Sequence, residues 1–178
     1  MLRANTPIIN LEASFDKLER AAPEGIYFAI PLNLPAGWRC HFDSASIPVE
    51  LDAEQLPRAC RDWFTVETYA CIHGGGYGAT LYCPDAPMIQ VGDFNFGRLQ
   101  DAIPRRERPL LLAWPMNNYW NTNFPRVQPG PVRFQYAFSA HGAFDPATAA
   151  AEGRAVGAPV IQALGLRLGF ASGAQRSS

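Results

Sequence analysis

The feature that most constrains this chain is a two-residue alternation of apolar and polar side chains, recurring through most of its length between proline and glycine turns. Successive side chains of a strand point to opposite faces, so this alternation marks strands with one buried and one wetter face. The clearest run is 26–34, where Ile26, Phe28, Ile30, Leu32 and Leu34 fall on one side. Pro31 within it supplies no ladder donor and predicts an edge position or a bulge. Similar runs predict strands over 38–42, 64–72, 79–83, 110–114 and 132–138, the last with Val132, Phe134, Tyr136 and Phe138 facing inward.

The punctuation suits an all-β sandwich. Turn clusters stand at Pro35-Ala36-Gly37, at Pro84-Asp85-Ala86-Pro87 and at Gln128-Pro129-Gly130-Pro131. A fourth, Gly74-Gly75-Gly76-Tyr77-Gly78, is rich enough in glycine to suggest a phosphate cradle, but a strand follows it rather than a helix amino terminus. It therefore predicts a mobile hairpin loop. One segment breaks the pattern: Asp145 can cap a helix that Pro146 opens, which predicts one short helix over 146–156. Beyond it Leu164, Leu166, Leu168 and Phe170 alternate and predict a closing strand, and the small polar residues 172–178 predict a flexible tail. The expected organisation is one β-sandwich domain over 1–171.

Composition narrows the partners. Fifteen basic residues against sixteen acidic ones leave a net charge of −1, so no field draws phosphate backbones or anionic lipid to the surface. Nucleic acid and membrane are not expected partners, and the chain has no apolar run near the ~20 residues of a membrane span and no secretory leader. Cys40, Cys60, Cys71 and Cys83 are too far apart for a metal knuckle or a redox pair. They read as buried free thiols at strands or strand ends, in a reducing cytoplasm.

Little in the sequence marks catalysis. His41, His73 and His141 stand far apart without the companions of a metal motif, so no metal is assigned. No nucleophile elbow is present. Asp43, Asp62, Glu67, Asp85 and Asp93 could supply the two carboxyl groups of a glycoside hydrolase, but sequence spacing cannot pair them, and solvated strand-end acids are the simpler reading. The most unusual segment spans 114–125, where four asparagines and Thr122 are interleaved with Trp114, Tyr119, Trp120 and Phe124. Side-chain amides suit sugar hydroxyl pairs, and aromatic faces suit the apolar face of a pyranose. The same residues also suit a structural loop whose asparagines satisfy turn backbone while its aromatics plug the end of the sandwich.

Several segments together resemble the carboxy-terminal region of bacterial glycoside hydrolase family 38 (α-mannosidase-like) proteins. They are Glu24-Gly25-Ile26-Tyr27-Phe28-Ala29-Ile30-Pro31, Glu54-Gln55-Leu56-Pro57, Asp62-Trp63-Phe64, Asp85-Ala86-Pro87 with Gly92-Asp93, and Asn117-Asn118-Tyr119-Trp120-Asn121-Thr122-Asn123 leading to Arg133-Phe134-Gln135-Tyr136. The resemblance runs from about residue 7 to about residue 160, and its asparagine–tryptophan piece is the most specific. It departs from the family at Arg58, where glycine is expected, and at Tyr119, where relatives often carry histidine.

The resemblance implies a portion of a galactose-mutarotase-like supersandwich, the last part of a larger glycosidase. The parent family cleaves α-mannosides with an aspartate nucleophile and a zinc ion held in preceding domains whose motifs find no match here. No catalytic residue and no metal ligand are therefore carried over. The expected role is a scaffold and sugar-contacting domain that presents Asn117, Asn118, Tyr119, Trp120, Asn121, Thr122, Asn123 and Arg133 to a mannose-containing carbohydrate. The alternatives are a stand-alone carbohydrate-binding module, or an aldose-epimerase-like enzyme using His73 or His141 with a carboxylate. The family pattern begins abruptly near Thr6, as though most of a longer enzyme were missing. A first strand over 7–13 would then show a free edge, open to a second copy or to a catalytic-domain chain.

Overall fold

A computed structural model describes residues 8–120 and 125–157. These residues form ten strands and one helix in the order β1 (Ile8–Lys17), β2 (Gly25–Pro31), β3 (Arg39–Ser44), β4 (Ile47–Glu50), β5 (Phe64–Thr65), β6 (Tyr69–Gly74), β7 (Tyr77–Tyr82), β8 (Met88–Gly92), β9 (Leu110–Asn117), β10 (Gly130–His141) and α1 (Pro146–Gly157). All pairings are antiparallel. They build a six-stranded sheet ordered β1-β10-β7-β6-β3-β4 and a four-stranded sheet ordered β2-β9-β8-β5. The expected closing strand and tail lie outside the described residues.

The inner faces of both sheets make the core. Cys40, Phe42, Ala70, Ile72, Leu81 and Tyr136 of one sheet meet Phe64, Ile89, Val91, Leu111 and Ala113 of the other, and Phe28, Ile30, Phe134 and Phe138 pack at its margin. Phe134, Tyr136 and Phe138 thus face inward as the alternation predicts. Pro31 also sits as expected, on an edge strand that carries a bulge between Ile26 and Phe28. The bulge shifts the alternation, and Ile26 drops out of the core that Phe28, Ile30, Leu32 and Leu34 join.

The glycine cluster becomes the β6–β7 hairpin. Gly74 pairs with Tyr77 across Gly75 and Gly76, whose φ values of 62° and 84° make the twisted two-residue turn that glycine supplies without strain. The helix also forms as expected. Asp145 accepts from the Ala147 and Thr148 amides, and these bonds, with the Thr148 hydroxyl first, hold its carboxyl below its usual range. Gly153 lets the helix lie close on the outer face of the six-stranded sheet, because a Cβ there would stand 2.4 Å from Thr68 Oγ1. Ala149 joins Tyr69, Cys71, Tyr82 and Ala137 in a small second core beneath it.

Three expectations change. The run 64–72 is not one strand: β5 belongs to the four-stranded sheet and β6 to the other, so the chain changes sheets between them. At that crossing the Asp43 carboxylate gathers three consecutive amides, sharing that of Glu67 with its own backbone carbonyl. It is 4% exposed and accepts from the backbone of Glu67, Thr68 and Tyr69 at 2.8–3.0 Å and from the Thr68 hydroxyl at 2.6 Å. Asp43 is therefore a buried clamp rather than a solvated acid. The thiols also divide: Cys40, Cys71 and Cys83 are buried and free, but Cys60 is exposed on the loop between β4 and β5.

Asp43→Ala leaves buried donors without acceptors, so unfolding free energy is expected to fall by about 3 kcal/mol. Asp43→Asn, which replaces one acceptor by a donor, recovers only part of the loss. Urea denaturation of the two variants checks the order.

Candidate functional site

The apolar residues along 110–117 do not all face the core. Leu111 and Ala113 point between the sheets, so Leu112 and Trp114 point out of the four-stranded sheet, yet Trp114 is only 1% exposed. Loops from three parts of the chain cover it. Tyr27 stacks on it with centroids 5.1 Å apart and planes 18° apart, and Phe96 and Trp63 meet it edge-on at 5.3 and 6.1 Å. Tyr119 stacks on Phe96 at 4.6 Å, and Trp120 meets Trp63 at 5.6 Å and Phe96 at 6.1 Å.

The result is an aromatic layer outside the sandwich with a partly open surface: Phe94 is 46% exposed, Trp120 38% and Phe96 37%. Polar groups hold its base. Gln90, wholly buried, donates to the Tyr27 hydroxyl at 3.2 Å and accepts from the Asn95 amide at 2.9 Å, while Asn95 donates to the Val91 carbonyl at 2.7 Å. Burial, with Tyr119 nearby, pushes the Tyr27 phenol up to about 12, so it remains a neutral donor and acceptor.

The expected site residues divide among three jobs. Tyr119 and Trp120 belong to the aromatic layer. Asn117 lines a small opening beside Lys17, Glu24, Met116 and Arg126. Asn118 is 8% exposed and fully occupied, donating to the Arg20 and Ala22 carbonyls at 3.0 and 2.9 Å and accepting from the Glu24 amide, so it pins the β1–β2 connection instead of meeting solvent. Arg133 lies apart from the rest: it alternates with the inward Phe134 on β10, so it projects from the outer face of the six-stranded sheet, where it stands 3.7 Å from Glu12. Asn121, Thr122 and Asn123 lie outside the described residues. Tyr27, Trp63, Phe94 and Phe96 were not legible as members of the site, because they come from three separate segments and only folding gathers them.

The remaining acids are engaged locally. Asp62 accepts from the Gly97 amide, Asp85 from the Gln135 amide, Asp93 from the Phe94 amide and Arg98, and Glu67 from the Ser46 amide and hydroxyl. Each of these carboxylates therefore has a structural task.

The histidines are not far apart, contrary to expectation. His41 Nδ1 and His73 Nε2 are 3.0 Å apart on neighbouring strands β3 and β6. His141 lies across Gly78, where a Cβ would stand 2.4 Å from its Cε1, and its Nε2 contacts Thr80 Oγ1 at 2.9 Å and Cys71 Sγ at 3.6 Å. Burial pushes the Cys71 thiol up to about 12, which leaves it a poor nucleophile. His141, Ser139, Tyr82, Asp145 and Glu152 line a cavity of about 140 Å³ under α1. Its carboxylates are committed, Asp145 to the helix cap and Glu152 to the Tyr82 hydroxyl. Among the described residues no three His, Cys, Asp or Glu side chains are gathered to hold a metal ion, and no helix is long and apolar enough to cross a membrane.

No family model, no curated protein and no solved structure matches the chain.

Asn118→Ala removes one acceptor and two donors from buried backbone groups and is expected to cost about 2 kcal/mol of stability. Thermal unfolding checks this.

Proposed function

We propose that the chain is a carbohydrate-contacting scaffold domain of an α-mannosidase-like glycoside hydrolase, working without catalytic residues of its own. The observation that carries this reading is the aromatic layer on the outer face of the four-stranded sheet. It fixes Trp120 between Trp63, Phe96 and Trp114 and leaves part of its ring in water. A rigid, half-open indole suits the apolar face of a pyranose, since little conformational entropy is lost when the sugar stacks.

In this reading Trp120 is the platform, Tyr119 is held beside it by Phe96, and Asn117 with Asn121, Thr122 and Asn123 selects hydroxyls. Asn118 acts through the backbone it pins, and Arg133 is left out. The zinc and the nucleophilic aspartate belong to another domain, and the free thiols Cys40, Cys71 and Cys83 suit a reducing cytoplasm.

Calorimetry with mannose and manno-oligosaccharides tests the platform. Saturable heat that disappears in Trp120→Ala is expected, and no heat at millimolar sugar either alone or with a catalytic-domain chain would end the proposal. Binding by the chain alone favours a stand-alone module. Binding only after addition of a catalytic-domain chain favours the accessory role. Aryl α-mannosides are expected to remain uncleaved in either case.

The edge strand β1 supports a partner. Among the described residues it pairs on one side, with β10, and Ile9 and Leu11 are 38% and 41% exposed. A second chain, either another copy or the catalytic one, is proposed to add there. Size-exclusion chromatography is expected to give a concentration-dependent shift above the monomer, and a sharp monomer at every concentration, alone or with the catalytic chain, would remove this part of the proposal.

A further inference from the structure

On the outer face of the six-stranded sheet, away from the aromatic layer, two imidazole nitrogens meet without a functional role in the reading above. We propose that His41 and His73 form a two-histidine site for a divalent transition-metal ion that prefers tetragonal nitrogen coordination, copper(II) or nickel(II).

The geometry begins with the register. His41 pairs with Cys71 and His73 with Arg39, so the two histidines are diagonal neighbours on adjacent antiparallel strands. Their rings reach across to bring Nδ1 of His41 and Nε2 of His73 within 3.0 Å. At imidazole–metal lengths of roughly 2.0–2.1 Å, two nitrogens at right angles around one ion lie about 2.9 Å apart, while a tetrahedral angle needs about 3.4 Å. The observed separation, spanned by a hydrogen bond between the rings in the metal-free chain, matches that of adjacent positions on a square-planar or tetragonal ion, toward which both rings must turn. Zinc in its usual tetrahedral setting fits less well.

A carboxylate orients the pair. Arg39 grips Glu50 through Nε at 2.6 Å and a second nitrogen at 2.5 Å, which sets the Glu50 carboxylate 3.9 Å from His41 Nε2. That charge favours the proton on Nε2 and leaves the lone pair on Nδ1, facing His73, in the manner of carboxylates behind metal-bound histidines.

Phe144 completes the setting. Its ring centre lies 4.9 Å from each imidazole centre, while the imidazole centres are 5.1 Å apart, so the phenyl ring covers the junction on one side. Both imidazoles remain partly exposed on the other. With two protein ligands, the remaining positions belong to water. An ion that keeps several waters and takes soft nitrogen donors is the chemistry that fits.

The test uses the full chain carrying Cys60→Ser, so that the exposed thiol does not compete. Nickel(II) titration is expected to saturate at one equivalent, and copper(II) is expected to give an electron-spin-resonance signal with two imidazole nitrogens in the equatorial plane. His41→Gln and His73→Gln are each expected to weaken binding at least about tenfold, the size of a lost coordinating contact or its support. His141→Gln is expected to leave it unchanged, and circular dichroism of the apo variants checks that the sheet persists. Stoichiometric binding that survives His41→Gln, or no saturable binding at all, would overturn the site.

Discussion

The sandwich depends on one buried carboxylate at the place where the chain leaves one sheet for the other. A strand that changes sheets must abandon its ladder, and at this corner the amides of Glu67, Thr68 and Tyr69 find their acceptor in the Asp43 side chain. The anion suits this work because it accepts several bonds at once and is neutralised by the converging N–H dipoles. It also ties β3, on which it sits, to the start of β6, its neighbour in the sheet. Polar order at this corner thus sets the relative placement of the two apolar faces.

The outer layer follows a different logic. A sheet whose second face carried Leu112 and Trp114 in water would expose a large apolar patch, and loops rich in aromatic residues cover it instead. Coverage is incomplete near Trp120 and Phe94. Their exposure there results from how the layer is built: rings that pack edge-on leave faces uncovered, whereas aliphatic side chains would close over one another.

The sequence made the strands over 38–42 and 132–138 legible because each has one face in the core and the alternation survives, while those over 79–83 and 110–114 form as expected although both of their faces are buried. It concealed β4 and β8 for separate reasons. The β3–β4 turn uses Ala45 and Ser46 at φ values of 50° and 63°, residues that advertise no hairpin, and the conformation is held by Glu67 from elsewhere in the chain. In β8 the successive residues Ile89, Gln90 and Val91 are all buried, so a central strand covered on both faces shows no alternation. At the candidate site the asparagine–tryptophan segment was visible from composition, but the division of labour within it was not. Whether Asn118 meets a sugar or a carbonyl depends on the chain arriving from residues 20–24, and no local pattern encodes that arrival. The meeting of His41 and His73 likewise depends on strand register, which alternation does not fix.

The unequal treatment of the four thiols has a practical side. Cys40, Cys71 and Cys83 are shut in by the sheets, with burial holding each as an unreactive thiol, and Cys60 alone meets solvent. Toward a water-borne electrophile the native chain therefore behaves as a single-cysteine protein. The stoichiometry of labelling becomes a gauge of how far the sandwich has opened: one adduct counts folded molecules, and each further adduct marks a sheet that has parted.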